Sequence, residues 1–159
     1  MSRGFTIIEA LVVVAILGIF ASLAAPSMAD LLASTAVRGA SSDFYASLAA
    51  ARSEAIKRRC RSAVAPIGAT WNTGWTVKSG DPASSSPTCV PVVVIQQVDA
   101  LKPRVVVEPS TPTSIAYGTN GRVTAGAQTI KFSDSVRTGV PKRCVSVDTN
   151  GLPRVRTGC

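Results

Sequence analysis

The 159-residue chain contains no histidine, and that absence closes several routes at once. No serine–histidine or cysteine–histidine pair can form. The four cysteines, Cys60, Cys89, Cys144 and Cys159, show no Cys-x-x-Cys spacing, so a zinc site is not expected. There is no Walker-type phosphate loop and no cluster of paired carboxylates. An enzyme is therefore not expected, nor a cofactor or metal. Acids are also scarce: nine Asp and Glu stand against seventeen Lys and Arg, for a net charge of +8. A basic balance of this size points to an acidic partner such as nucleic acid or an anionic surface, or else to a solvated basic surface.

What the chain does have is one long apolar run. From Phe5 to Ala25 it reads FTIIEALVVVAILGIFASLAA, 21 residues with Glu9 as the only charge. A helix rises about 1.5 Å per residue, so the run reaches roughly 30 Å and can cross a bilayer core. A secretory signal peptide would have a small-residue cut site behind such a run, and Ser22-Leu23-Ala24 has that form. The carboxylate inside the apolar core argues against that reading. As an ordinary membrane anchor the run leaves Glu9 unexplained, because a lone carboxylate in lipid is costly.

The stretch Gly4-Phe5-Thr6-Ile7-Ile8-Glu9 resembles the processing site of type IV pilins and type II secretion pseudopilins. The resemblance implies that a prepilin peptidase cuts after Gly4 and that Phe5 becomes the N-methylated amino terminus. It also implies that Glu9 pairs with the amino terminus of a neighbouring subunit during assembly. The physics agrees, since an ammonium compensates a buried carboxylate. The corresponding division is a leader over 1–4, a hydrophobic membrane and assembly helix over 5–26, an amphipathic helix over 27–59 and a β-domain over 60–159. Pro26, at the first boundary, removes a helix hydrogen bond and is expected to kink the chain.

Beyond Pro26 a helical period resumes. Ala33, Val37, Ala40, Phe44, Leu48, Ala51 and Ala55 recur every three or four residues as one apolar stripe. Arg38, Ser42, Arg52 and Lys57 fall on the other face, and Glu54 stands at helical spacing from Lys57 and Arg58. Lys57, Arg58, Arg59 and Arg61 gather at the expected carboxyl end, where cations suit the helix dipole. The run Leu48-Ala49-Ala50-Ala51-Arg52-Ser53-Glu54-Ala55-Ile56-Lys57-Arg58 resembles the end of the long helix in the FimT/GspH branch of the pilin family.

From Cys60 onward, short β-prone runs alternate with turn residues. Strands are expected at Ser62–Pro66, Gly74–Lys78, Val90–Gln97, Arg104–Glu108, Ser114–Tyr117, Thr129–Ser133, Arg143–Val147 and Pro153–Arg156. Gly80–Pro87, Pro109–Pro112 and Thr119-Asn120-Gly121 read as loops and turns. Many short strands without intervening helices favour antiparallel sheet, so the expected fold is α+β, a long helix packed on antiparallel sheets. Trp71-Asn72-Thr73-Gly74-Trp75 reads as the start of a strand with aromatic packing, or as an aromatic binding platform. The stretch from Ser114 to Arg122, a strand before a Gly-Arg turn, again resembles FimT/GspH members.

An even number of cysteines beyond the anchor fits two disulfides in an oxidising periplasm, with three possible connectivities. Cys144 and Cys159 flank the last expected hairpin, which turns at Thr149-Asn150-Gly151. Pairing them would staple the tail and leave Cys60 to pair with Cys89.

The charge is concentrated late. From Gly121 to Cys159 there are seven cations and two anions, Asp134 and Asp148. The loop from Arg137 to Arg143 and the tail from Gly151 to Arg156 can meet at one edge. In an extended strand Arg154 and Arg156 point the same way, about 7 Å apart, close to the spacing of successive phosphates. Arginine forks suit phosphate oxygens. The alternative is an edge strand whose charges discourage aggregation. FimT-type minor pilins bind DNA through a carboxyl-terminal Gly-Arg-x-Arg motif and support DNA uptake in natural transformation. Pro153-Arg154-Val155-Arg156 is similar to that motif, but the glycine, Gly151, sits two residues further back.

The resemblance thus implies a minor pilin of a type IV pilus. Its sites are the processing pair Gly4 and Phe5, Glu9 for assembly, and Arg154 and Arg156 for DNA, with Lys142 and Arg143 as auxiliaries. The implied partners are other pilin subunits, the prepilin peptidase, double-stranded DNA read without sequence preference, and the inner membrane before assembly. The β-domain would face the periplasm and, after assembly, the cell exterior. The competing expectation is a GspH-like minor pseudopilin of a type II secretion system, structural and without DNA binding. A minor pilin that primes fibre assembly without touching DNA is a third.

Overall fold

The computed structural model describes residues 6–80, 89–108 and 112–159, with side chains 23–26 excepted. Gly4 and Phe5 therefore lie outside the described residues, as do most of the loops expected after Gly80 and Pro109.

One helix, α1, runs from Ile7 to Arg58 and continues through position 26. Thr6 caps it: the Thr6 hydroxyl accepts the Glu9 N–H at 3.3 Å. Thr6 and Glu9 have the spacing of a capping box, a start signal already present in the sequence. The other end stops at Arg59, which turns left-handed at φ 54°. Lys57 and Arg58 both pair with Glu54, at 3.8 and 2.6 Å.

The two halves of α1 behave differently. Ile7 to Ser22 are exposed throughout, Ile7 by 81% and Phe20 by 64%. The second half buries its predicted stripe from Ala33 to Ala55. Ser47 joins that buried face, and its hydroxyl accepts the Trp75 indole N–H at 2.9 Å.

Among the described residues eight strands follow: β1 Ser62–Pro66, β2 Trp75–Ser79, β3 Val93–Val98, β4 Val105–Val107, β5 Ile115–Tyr117, β6 Gln128–Asp134, β7 Arg143–Val147 and β8 Pro153–Thr157. They form two four-stranded sheets, ordered β3-β2-β1-β5 and β4-β6-β7-β8, with every recorded pairing antiparallel. Both sheets lay a face against α1. The strands alternate inward and outward with period two. Val64, Trp75, Val77 and Ile115 point inward from the first sheet, and Ile130, Phe132, Val145 and Val147 from the second. Phe44 of α1 sits between them. Its ring meets Trp71 and Trp75 edge-on at 5.2 Å each and tilts against Phe132 at 5.7 Å.

Two expectations shift. The third strand begins at Val93, not Val90, because Pro91 has no N–H to give to a ladder. The Trp71–Thr73 segment is a short 3-10 turn, not the start of a strand. Gly74 ends it at φ 91°, where any side chain would overlap the Val98 carbonyl. Both tryptophans are buried, Trp71 to 4% and Trp75 to 0% exposure, so they pack the core and offer no aromatic platform.

Candidate nucleic-acid interface

Among the described residues the second sheet ends at β8, an edge strand paired with β7 alone. The β7–β8 hairpin closes at Asp148–Leu152. The Gly151 N–H donates to the Asp148 carbonyl at 2.9 Å, and the Leu152 N–H to the Asp148 carboxylate at 2.9 Å. Gly151 takes φ +79°, the left-handed region that favours glycine. It is buried against Gly121, whose carbonyl accepts from the Arg52 Nε at 3.1 Å. Arg52, expected on the open face of the helix, thus ties α1 to the Gly118–Gly121 turn on which Gly151 packs.

The far end of the hairpin is closed covalently. Cys144 and Cys159 form a disulfide with Cα atoms 6.3 Å apart, and the Gly158 N–H donates to the Lys142 carbonyl at 3.0 Å. The other bridge, Cys60–Cys89, ties the end of α1 to the segment before β3. The edge strand is therefore held at both ends.

Register decides where the arginines point. Val155 is opposite Val145, which is fully buried, so those two share the inward face. Arg154 is opposite Ser146 and Arg156 is opposite Cys144, on the outward face. Both arginines are exposed, and neither forms an ion pair among the described residues. The two arginines thus leave one side of a fixed strand from Cα atoms about 7 Å apart, with their guanidinium groups open to phosphate oxygens.

The other expected cations divide. Lys142 lies two residues before Cys144 and shares its outward parity, but its ammonium donates to Glu108 at 2.7 Å. Arg143 is opposite buried Phe132 and lies beside Ser34 and Arg38 of α1. The one-residue offset puts it on the inward side, so it does not join Arg154 and Arg156. Lys131, not singled out in the sequence, is in the same cross-strand row as Cys144 and Arg156. It pairs with the other oxygen of Glu108 at 3.6 Å. Alternation within β6 marked Lys131 as outward, but only the tertiary structure shows its partner. Glu9 is exposed on the apolar half of α1. Among the described residues no cluster of His, Cys, Asp or Glu could hold a metal ion.

A family model described as type II transport protein GspH matches residues 40–151. A second, the prokaryotic N-terminal methylation motif, matches residues 1–25. No curated protein matches. Among solved structures, the type IV minor pilin FimU of Pseudomonas aeruginosa superposes with a TM-score of 0.60 at 17% identity, covering 77% of this chain and 88% of its own. The minor pseudopilin EpsH of the Vibrio cholerae type 2 secretion system superposes with a TM-score of 0.57 at 17% identity, covering 76% and 96%. Both share the fold, a long helix on antiparallel sheets. The GspH match ends at Gly151, before Arg154 and Arg156.

Proposed function

The chain belongs to the GspH family and carries the prokaryotic N-terminal methylation motif; from that premise we propose that it is a minor pilin of a type IV pilus that holds double-stranded DNA on the outward face of β8 and supports DNA uptake in natural transformation. In this reading the protein has no catalytic role. The apolar half of α1 crosses the inner membrane once, with the β-domain on the periplasmic side. A prepilin peptidase removes residues 1–4, Phe5 is methylated, and Glu9 takes the amino terminus of a neighbouring subunit as its counter-charge. After assembly the β-domain lies on the outside of the fibre.

The observation that carries the DNA reading is the arginine pair. Arg154 and Arg156 share one exposed face of an edge strand fixed at both ends, with no ion-pair partner among the described residues. Their forks are available to phosphate and read no base, so binding is independent of sequence and steeply dependent on salt.

The test is a salt titration with the full chain in non-ionic detergent and a labelled random duplex of about 30 base pairs. The Arg154→Ala, Arg156→Ala double variant removes two phosphate contacts. Its log–log salt slope is expected to be shallower by about 1.8, at 0.9 per contact. A fourfold dilution of salt then strengthens wild-type binding by roughly twelvefold more than it does the variant's. A variant that binds as wild type does would remove the site assignment.

A second reading is favoured by the family description and by the fold shared with EpsH. It is a structural pseudopilin of type II secretion in which the arginines only keep the sheet edge soluble. Absence of binding by wild type at low salt would select it.

A further inference from the structure

The outward face of the second sheet carries a second group of charges beyond β8. Lys131, Cys144 and Arg156 stand in one cross-strand row. Strands lie about 4.8 Å apart, so Lys131 and Arg156 are separated by roughly 10 Å across the sheet. Lys142 approaches the same face just before β7. Glu108 follows β4, and its N–H extends the ladder by donating to the Lys131 carbonyl at 3.1 Å. Its carboxylate therefore reaches both lysines, Lys142 at 2.7 Å and Lys131 at 3.6 Å.

We propose that the DNA-contacting surface extends across the sheet from Arg154 and Arg156 to Lys131 and Lys142, and that Glu108 is an internal competitor that occupies those lysines until a phosphate displaces it. This inference rests on the DNA reading above. Its physical ground is that one carboxylate holds two cations on the face where the arginines stand unpaired among the described residues. The lysine side chains remain 39% and 53% exposed, and the Glu108 side chain 24%. Ion pairs this exposed are weak, so a phosphodiester competes with Glu108 on comparable terms. The hydrogen bond from Lys142, acting against partial burial and helped by the Lys131 charge, holds the Glu108 carboxyl below its ordinary range, so the competitor is ionised at neutral pH.

The experiment uses the full chain in non-ionic detergent and the same labelled duplex. Glu108→Gln keeps the side-chain shape and frees both lysines. It is expected to tighten binding roughly three- to tenfold at about 100 mM salt and to steepen the salt slope by about 1 to 2. Asp43→Asn is the control, because it adds the same charge on exposed α1, and is expected to change neither. Adding Lys131→Ala and Lys142→Ala to Glu108→Gln is expected to return the slope to the wild-type value. If Glu108→Gln and Asp43→Asn behave alike while wild type binds through Arg154 and Arg156, the extension across the sheet is overturned and the arginine site stands. If the lysine substitutions leave the Glu108→Gln slope unchanged, the extension is likewise overturned. If neither wild type nor Glu108→Gln binds at low salt, the DNA reading falls, and this inference falls with it.

Discussion

Two glycines with nearly the same backbone conformation separate backbone strain from steric clash. Gly126 has φ +81° and Gly151 has φ +79°. A methyl group added at Gly126 meets nothing within 4 Å. At Gly151 the same methyl overlaps the Gly121 carbonyl oxygen and comes within 3.1 Å of the Tyr117 ring. Gly126→Ala therefore costs only the left-handed conformation, about 1–2 kcal/mol. Gly151→Ala must also move one of the two turns. Gly121 cannot retreat easily, because the Arg52 guanidinium holds its carbonyl and Ile56 lies behind it, 2.7 Å from where a Cβ would stand. Relief comes from lifting Leu152 and Pro153 away from α1, which adds roughly 1–3 kcal/mol of overpacking and about 1 kcal/mol for the weakened Arg52 hydrogen bond. At about 3 °C per kcal/mol, Gly126→Ala lowers Tm by roughly 3–6 °C and Gly151→Ala by roughly 9–18 °C. Fluorescence of the buried Trp71 and Trp75 follows the transition. Equal losses for the two variants would refute the packing of the hairpin turn against Gly121.

Two further outcomes test the core and its charges. Phe44→Ala removes a fully buried ring and three aromatic contacts, and is expected to cost about 3–5 kcal/mol in urea unfolding; a loss under about 1 kcal/mol would mean that the helix and sheets do not meet there. For Asp134, burial pushes the carboxyl up. The Arg137 and Val136 N–H groups and the Arg104 guanidinium outweigh that and hold it below its usual value. A group whose folded value is lowered contributes stability fully above its unfolded value, near 3.8, and loses it as the pH falls through the folded value. Asp134→Asn should therefore reduce stability at pH 6 and flatten its decline below about pH 4. An unchanged acid limb in the variant would contradict this.

Much of the architecture was legible in local pattern, for reasons the structure makes plain. A helix repeats every 3.6 residues, so the stripe from Ala33 to Ala55 identified its own buried face before any partner was known. Strands repeat every two residues, so Arg154 and Arg156 were bound to share a side. Turn residues and prolines punctuated the β-region closely enough to place eight strands, with Pro91 moving one boundary. Thr6 and Glu9 even carried the signal for the start of α1.

What periodicity cannot supply is which side of a strand meets the core and which distant residue stands opposite. Arg143 and Lys142 are neighbours in sequence, yet the pairing of Arg143 with buried Phe132 turns one towards α1 and leaves the other facing out. Arg52 looked like a solvated cation until Gly121, 69 residues away, supplied the carbonyl that holds it. Glu108 carried no motif at all. Its hold on Lys131 and Lys142 exists only because β4, β6 and β7 lie side by side. By itself the sequence determined the elements, their apolar faces and the shared direction of the arginine pair, because those follow from geometry within a few residues. Only the tertiary structure decided which cations are free, because that depends on contacts between residues far apart in the chain.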